Sequence, residues 1–230
     1  MEADVGSNKL TAFLHGRWKA AFFAMLALCG VFGFLNIASE VRENETHEVD
    51  ERILLMMREE GDTSDPVGPP ELSEVARDIT ALGGGTILTG ITLVAWGLTL
   101  FSGRRKLAWL GVGSVITGAV VMRFLKLGYD RPRPELVEHG ALVTSASFPS
   151  GHSMMAALVY LSLGLLVART QSRRRAKIFV LGVAITVTVA VGISRVFLGV
   201  HWPTDVAAGW ALGAAWALLV WMTAGYLEKR

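Results

Sequence analysis

The sequence has one cysteine, Cys29, among 230 residues, and only 18% of its residues are charged. A lone cysteine excludes a disulfide-built secreted domain. Soluble globular domains carry about 25% charged residues, so this chain has too few to cover an ordinary water-facing surface. A hydrophobic content of 52% excludes intrinsic disorder. Its formal charge of +2 is too weak to attract nucleic acid. What the chain does have is long apolar runs, and they place it in a membrane.

A helix crossing about 30 Å of hydrocarbon needs about 20 mostly apolar residues. Such runs cover 18–38, 82–101, 107–125, a shorter 153–168, 178–193 and 206–227. They predict an all-α, polytopic membrane protein with six transmembrane helices. The runs are too long for strands and lack the dyad alternation of an outer-membrane barrel. The first is too long for a signal-peptide core and no small-residue cleavage site follows it, so it reads as an uncleaved anchor.

Orientation follows from Lys and Arg in short loops. Lys9, Arg17 and Lys19 precede the first span, and Arg104, Arg105 and Lys106 join the second and third. Arg169, Arg173, Arg174, Arg175 and Lys177 join the fourth and fifth, and Lys229 and Arg230 end the chain. With six spans all four clusters share one face, which is then cytoplasmic, as are both termini. Segment 39–81 holds 13 of the 20 acidic residues against four arginines and falls on the other face. Within it, Val49, Ile53, Met56 and Met57 recur at helical spacing, as do Leu72, Val75, Ile79 and Leu82 beyond the breaker run Asp65-Pro66-Val67-Gly68-Pro69-Pro70. Each pattern fits an amphipathic helix on the outer membrane surface, a lid packed on the bundle or a solvated connector. Gly83-Gly84-Gly85 reads as a loosening before the second span.

Polar residues gather at the outer ends of the last four spans. The third ends in Lys126-Leu127-Gly128-Tyr129-Asp130-Arg131-Pro132-Arg133-Pro134, Pro149-Ser150-Gly151-His152 precedes the fourth, and Ser194-Arg195 through His201-Trp202-Pro203-Thr204-Asp205 join the fifth to the sixth. Ionisable groups at a membrane edge need partners or a wet cavity, so this concentration marks a site. Fixed Lys and Arg donors, with backbone N–H groups at a helix start, match the oxygens of a phosphoryl group in transfer. Asp205, four residues beyond His201, can hold one ring nitrogen and leave the other free to attack phosphorus. His152 remains to protonate the departing oxygen. His201 must then be neutral and His152 protonated, which requires different surroundings.

The ordered set Lys126-(six residues)-Arg133-Pro134, Pro149-Ser150-Gly151-His152 and Ser194-Arg195-(five residues)-His201-(three residues)-Asp205 resembles the tripartite signature of the type 2 phosphatidic acid phosphatase family. The resemblance implies a phosphatase that needs no metal or other cofactor and works through a phosphohistidine intermediate. It implies His201 as nucleophile, Asp205 as its orienting partner and His152 as general acid, with Lys126, Arg133, Ser150, Gly151 and Arg195 binding the phosphoryl oxygens. The family includes soluble haloperoxidases, which the membrane spans disfavour here.

The expected protein is an integral membrane lipid phosphate phosphatase of a bacterial cytoplasmic membrane, with its site on the extracytoplasmic face. Its substrate is a membrane lipid phosphomonoester or pyrophosphate of the phosphatidate, phosphatidylglycerol phosphate, undecaprenyl pyrophosphate or lipid A phosphate class. The chain divides into a cytoplasmic tail (1–17), a first span (18–38), an extracytoplasmic acidic segment (39–81), a five-helix catalytic core (82–227) and a cytoplasmic end (228–230). A phosphotransferase of the same mechanism and a lipid-flipping transporter are the alternatives; the latter explains the cations but not two histidines with a carboxylate, and no inverted repeat supports it. Arg131 is either a site cation or a snorkelling side chain, and Arg123, one turn inside Lys126, has no assigned partner. Gly209 and Gly213 fit close helix contact, within the bundle or between copies. Trp202 is expected in the interfacial belt or beside the path of the lipid, and Cys29 in helix packing.

Overall fold

The computed structural model describes residues 2–141 and 145–228, with side chains from Trp18 onward except that of Lys19. The side chains of Lys9, Arg17 and Lys19, and residues Lys229 and Arg230, therefore lie outside the described part. The elements are α1 (Glu2–Arg42), α2 (His47–Leu55), β1 (Arg58–Glu59), β2 (Asp62–Pro66), α3 (Pro70–Ala81), α4 (Gly85–Phe101) and α5 (Arg105–Tyr129). They continue with α6 (Gly151–Ala156), a π-helical turn (Ala157–Leu161), α7 (Ser162–Thr170), α8 (Arg174–Phe197) and α9 (Pro203–Leu227).

Five of the described helical stretches are long and apolar enough to cross a membrane: Ala20–Arg42, Arg105–Tyr129, Gly151–Thr170, Arg174–Phe197 and Pro203–Leu227. The expected second span differs. It is the 17-residue α4, joined to α3 by a 43° bend, and the pair makes a sixth crossing if taken as one. The bend falls at Leu82-Gly83-Gly84, so the glycines mark an elbow between two helices. The helical expectation also needs one amendment, because β1 and β2 form a small antiparallel hairpin.

The boundaries have local causes. Pro203 stands in the first turn of α9, where its missing N–H costs nothing. Asp130 closes α5 in the left-handed region at φ 42°, and its N–H bonds the Lys126 carbonyl. The chain turns there into the loop that carries Arg131 and Arg133.

Apolar side chains face outward along the bundle. Val94, Phe101, Trp109, Phe124, Ile178 and Phe179 are all exposed, the inverse of a soluble surface and suited to lipid. Cys29 is among the exposed residues, on the outside of α1 instead of packed between helices. Inside, α9 is the hub, packing on α1 and α6. Phe34 and Ala38 of α1 meet Phe148, Met154, Ala208 and Leu212 in one buried cluster. Gly209 and Gly213 allow α6 to approach: a β-carbon at 209 would stand 2.8 Å from the Ser150 carbonyl oxygen, and one at 213 would collide with that of Met154. The small-residue pair thus serves packing inside the bundle.

Segment 39–81 folds onto the same end of the bundle. Leu54 of α2 packs with Val137, Val196, Trp202 and Val206. Ala76 of α3 packs with Phe197, Leu198 and Val200. Arg58 donates to the Phe197 carbonyl at 2.9 Å, satisfying an orphan acceptor at the end of α8. These contacts clamp the α8–α9 loop, which holds His201. Val49, Ile53, Met56 and Val75 stay exposed on the outer side of the segment.

Candidate active site

Two helix N-termini meet at the centre of the site. The Ser150 N–H donates to the Asp205 carbonyl at 3.0 Å, tying the start of α6 to the first turn of α9. Ser150 caps α6 by accepting from the Ser153 N–H, and Ser153 Oγ donates to Ser150 Oγ at 2.9 Å. Gly151 and His152 follow in the first turn, where amides and helix dipole favour an anion. A β-carbon at Gly151 would stand 3.8 Å from Lys126 Cε, which places the lysine stem beside this turn.

His201 is almost wholly buried, and both ring nitrogens have neighbours. Nδ1 lies 3.3 Å from Asp205 Oδ2, and Nε2 lies 3.3 Å from an Arg133 terminal nitrogen. Arg133 is donor-only, so Nε2 bears the lone pair and the proton sits on Nδ1, facing the carboxylate. Burial pushes the imidazole down to about 4, the hydrogen bond and charge of Asp205 oppose that shift, and Arg133 and Arg195 add to it. His201 is therefore neutral at pH 7.

Asp205 is fully buried and saturated with donors. Its Oδ2 accepts from the Trp202 N–H at 2.9 Å and from the Ser147 hydroxyl, and its Oδ1 accepts from Arg131 at 2.8 Å. The carboxylate reaches back to the N-cap amide of its own helix while holding the imidazole, which fixes the i, i+4 geometry.

The cations line the other side. Lys126 Nζ donates to the Ala146 carbonyl and lies 3.4 Å from that of Ser147. Arg133 donates to the Ser145 carbonyl at 2.9 Å and to the Val200 carbonyl. Burial lowers the Arg133 guanidinium from its ordinary value, and Asp205 opposes that. Arg195 donates to Thr80 Oγ1 at 3.0 Å, and its Nε is buried without a hydrogen-bond partner among the described residues. His152 lies within electrostatic reach of Arg195, His201, Lys126 and Arg133. Its Cβ and carbonyl oxygen stand 3.2 Å from where a β-carbon on Gly83 would be. All eight site residues expected from sequence thus converge at one end of the bundle.

Several participants carried no sequence signal strong enough to name them. Arg131 is not a snorkelling side chain: it bridges Asp205 and Asp50, both at 2.8 Å. Ser147 and Thr80 are single hydroxyls outside any spacing pattern. Asp50 is one of 13 acids in a segment that reads as solvated. Trp202 is buried, with its Nε1 donating to the Pro132 carbonyl at 3.0 Å. Arg123 is exposed, one turn from Lys126. Among the described residues, no group of three His, Cys, Asp or Glu side chains is placed to hold a metal ion.

A family model described as the PAP2 superfamily matches residues 107–229. Phosphatidylglycerophosphatase B of Bacillus subtilis (strain 168) is 34% identical over 205 residues, covering 85% of this chain and 92% of that protein. An undecaprenyl-diphosphatase of Sulfolobus acidocaldarius is 39% identical over 122 residues, 51% of this chain and 55% of that protein. The crystal structure of a transmembrane PAP2-type phosphatidylglycerolphosphate phosphatase from Bacillus subtilis superposes with a TM-score of 0.77 at 30% identity, covering 88% of this chain and 96% of that one. Aquifex aeolicus LpxE shares the fold, with a TM-score of 0.57 at 20% identity over 75% of this chain and 94% of its own.

Proposed function

The chain belongs to the PAP2 superfamily, and from that premise we propose that it cleaves phosphate from a membrane lipid by way of a phosphohistidine on His201. The observation that carries this reading is the placement of His201 between Asp205 at Nδ1 and Arg133 at Nε2, each at 3.3 Å. The nitrogen that would attack faces the phosphate-binding cation.

A phosphoryl group entering the site draws Arg133, Lys126 and Arg195 onto its oxygens, together with the Ser150 hydroxyl and the Gly151 amide at the start of α6. Moving Arg133 to the phosphate uncovers the Nε2 lone pair. Nε2 attacks phosphorus, the bond from phosphorus to the lipid oxygen breaks, and His152 delivers its proton to that oxygen. The imidazole becomes cationic as the N–P bond forms, and Asp205 stabilises that charge through Nδ1–H. Water deprotonated by His152 then attacks the phosphohistidine, freeing inorganic phosphate and restoring both histidines. Three cations, backbone amides and a helix dipole supply the charge stabilisation, so no metal is required.

The bend between α3 and α4 counts as one crossing in this reading, which gives six spans. The Arg- and Lys-rich loops and both termini lie in the cytoplasm, and segment 39–81 and the site lie on the extracytoplasmic face of a bacterial membrane. The lipid tail then stays in hydrocarbon while its head group meets the cations at the rim. Phosphatidylglycerophosphate is the first substrate to try, since the relative named for that activity aligns over 85% of the chain.

Phosphate release in detergent from phosphatidylglycerophosphate, phosphatidate, undecaprenyl pyrophosphate and a lipid A phosphate tests the activity, with turnover of at least one expected. Acid quenching with radiolabelled substrate should trap label on the wild-type protein and none on His201→Ala. Label retained by His201→Ala would overturn the mechanism.

A further inference from the structure

Asp50 lies on α2, outside the residues that the family model matches, yet its carboxylate is fully buried against the start of α9. Oδ1 accepts from the Thr204 N–H at 2.9 Å, an amide in the first turn of α9 with no partner inside its own helix. Oδ2 accepts from the Thr204 hydroxyl at 2.6 Å and from Arg131 at 2.8 Å. Asp50 thus grips both the helix that carries Asp205 and the cation that holds it.

Arg131 is the bridge. One terminal nitrogen bonds Asp205 Oδ1 at 2.8 Å and Thr204 Oγ1 at 2.9 Å; the other bonds Asp50 at 2.8 Å and lies 3.3 Å from Thr46 Oγ1. Its guanidinium carbon lies 5.5 Å from the centre of the Trp202 ring, so its plane is fixed from that side too. A planar guanidinium between two carboxylates transmits orientation in a way that a flexible ammonium does not. With Oδ1 committed to Arg131, Asp205 has Oδ2 left for Trp202, Ser147 and His201. Buried carboxylates are costly unless paired, and this one is paired onto the first turn of α9 and the partner of Asp205.

We infer that Asp50 is a positioning residue for His201, acting through Arg131 and the first turn of α9 on Asp205; this rests on the roles proposed above for His201 and Asp205. Segment 39–81 is then a working part of the active site. The nearby Glu43, Glu45 and Glu48 are exposed, whereas Asp50 completes the orientation of the nucleophile.

The test uses the full chain in detergent with phosphatidylglycerophosphate micelles, and reads kcat, KM and melting temperature. Asp50→Asn keeps the shape and loses the charge that aligns Arg131. It should lower kcat by about 10- to 100-fold, the scale of a small misplacement of a reacting group, with KM within about twofold because the phosphate cradle is untouched. Asp205→Asn should lower kcat further, and Asp50→Asn added to it should cost nothing more, since both act through one carboxylate. Glu48→Gln, an exposed neighbour on α2, should leave kcat unchanged. A kcat for Asp50→Asn within twofold of wild type, or losses that multiply in the double variant, would overturn the inference. If Asp50→Asn shows no melting transition, Arg131→Lys keeps the charge but cannot bridge two carboxylates, and it carries the same expectation and the same refuting result. If instead Asp205→Asn turns over at the wild-type rate, the proposed mechanism falls, and the positioning role with it.

Discussion

Adding a single methyl at Gly83 should impair the site without replacing any of the side chains proposed to act in it. A β-carbon there would stand 2.5 Å from Val191 Cγ1 and 3.2 Å from both Cβ and the carbonyl oxygen of His152. Carbon atoms rest at about 3.5–4.0 Å, so about 1 Å must be found. Val191 cannot supply it cheaply, because it is fully buried on α8 and β-branched side chains have one favoured helical rotamer. If the α3–α4 elbow backs away, it strains the 2.8 Å bond from the Tyr160 hydroxyl to the Leu82 carbonyl and pulls Thr80 off Arg195. If the elbow stays, His152 moves. Overpacking of this kind costs about 1–3 kcal/mol, and a displacement of about 1 Å at a reacting group costs about 100-fold in rate. Gly83→Ala should therefore fold with a lowered melting temperature and lose about 10- to 100-fold in kcat/KM for lipid phosphate release. Adding Val191→Ala removes the nearer contact and should recover most of both. Wild-type turnover in Gly83→Ala would refute the reasoning, because it would mean that the elbow moves freely without disturbing the site.

The two histidines should separate by leaving group. General acid catalysis is worth about 10²- to 10⁴-fold, so His152→Ala should lose far more on a lipid alkoxide than on p-nitrophenyl phosphate, whereas His201→Ala should lose both equally; full lipid turnover by His152→Ala would refute the assignment. The His201 imidazole is held at about 4, below its ordinary 6.5, so its contribution to stability is present above pH 6.5 and is lost as pH falls towards 4. Wild-type protein should lose melting temperature relative to His201→Gln across that window, and parallel curves would contradict the shift. In a Cys29→Ala background, a membrane-impermeant thiol reagent on intact cells should label Glu135→Cys but not Arg174→Cys, and the reverse pattern would turn the site to the cytoplasm. Turnover should survive EDTA and fall with vanadate; loss on chelation, restored by magnesium, would show that a metal is needed.

What was legible in the sequence had either a period or a spacing. The ends of helices α5, α8 and α9 stand within four residues of the apolar runs that announced them, since about 20 apolar residues have no other stable solution in hydrocarbon. His201 and Asp205 were legible as a pair because i, i+4 on a helix start fixes their contact. The α3–α4 elbow was not, because a 43° bend between one amphipathic and one apolar helix leaves the hydrophobic pattern unbroken. Arg131 was ambiguous for a different reason. Whether a rim arginine snorkels or bridges depends on carboxylates that arrive from elsewhere, and here one comes from α2 and the other from α9. The partners of Trp202 were not legible either, because aromatic composition speaks only to the interface, whereas the α8–α9 turn brings its ring to the Pro132 carbonyl and beside Arg131.

Segment 39–81 reaches the site from two sides, and that changes what counts as its core. At one end Asp50 holds Arg131 and the start of α9, the side of the proposed nucleophile His201. At the other Thr80 accepts from Arg195, one of the cations proposed to bind phosphate, and just beyond the segment Gly83 abuts His152. Between them Arg58 closes the end of α8 through the Phe197 carbonyl. These contacts bracket the α8–α9 loop, so the loop carrying His201 is fastened on one side by the bundle and on the other by this segment. Residues 107–229, which match the family model, hold every residue proposed to touch phosphate or lipid oxygen. The groups that fix the angles between those residues lie partly outside that stretch, on helices whose outer surfaces read as ordinary amphipathic sequence. Chemistry in this chain therefore follows the motifs, whereas its geometry is set in part by a segment in which no motif appears.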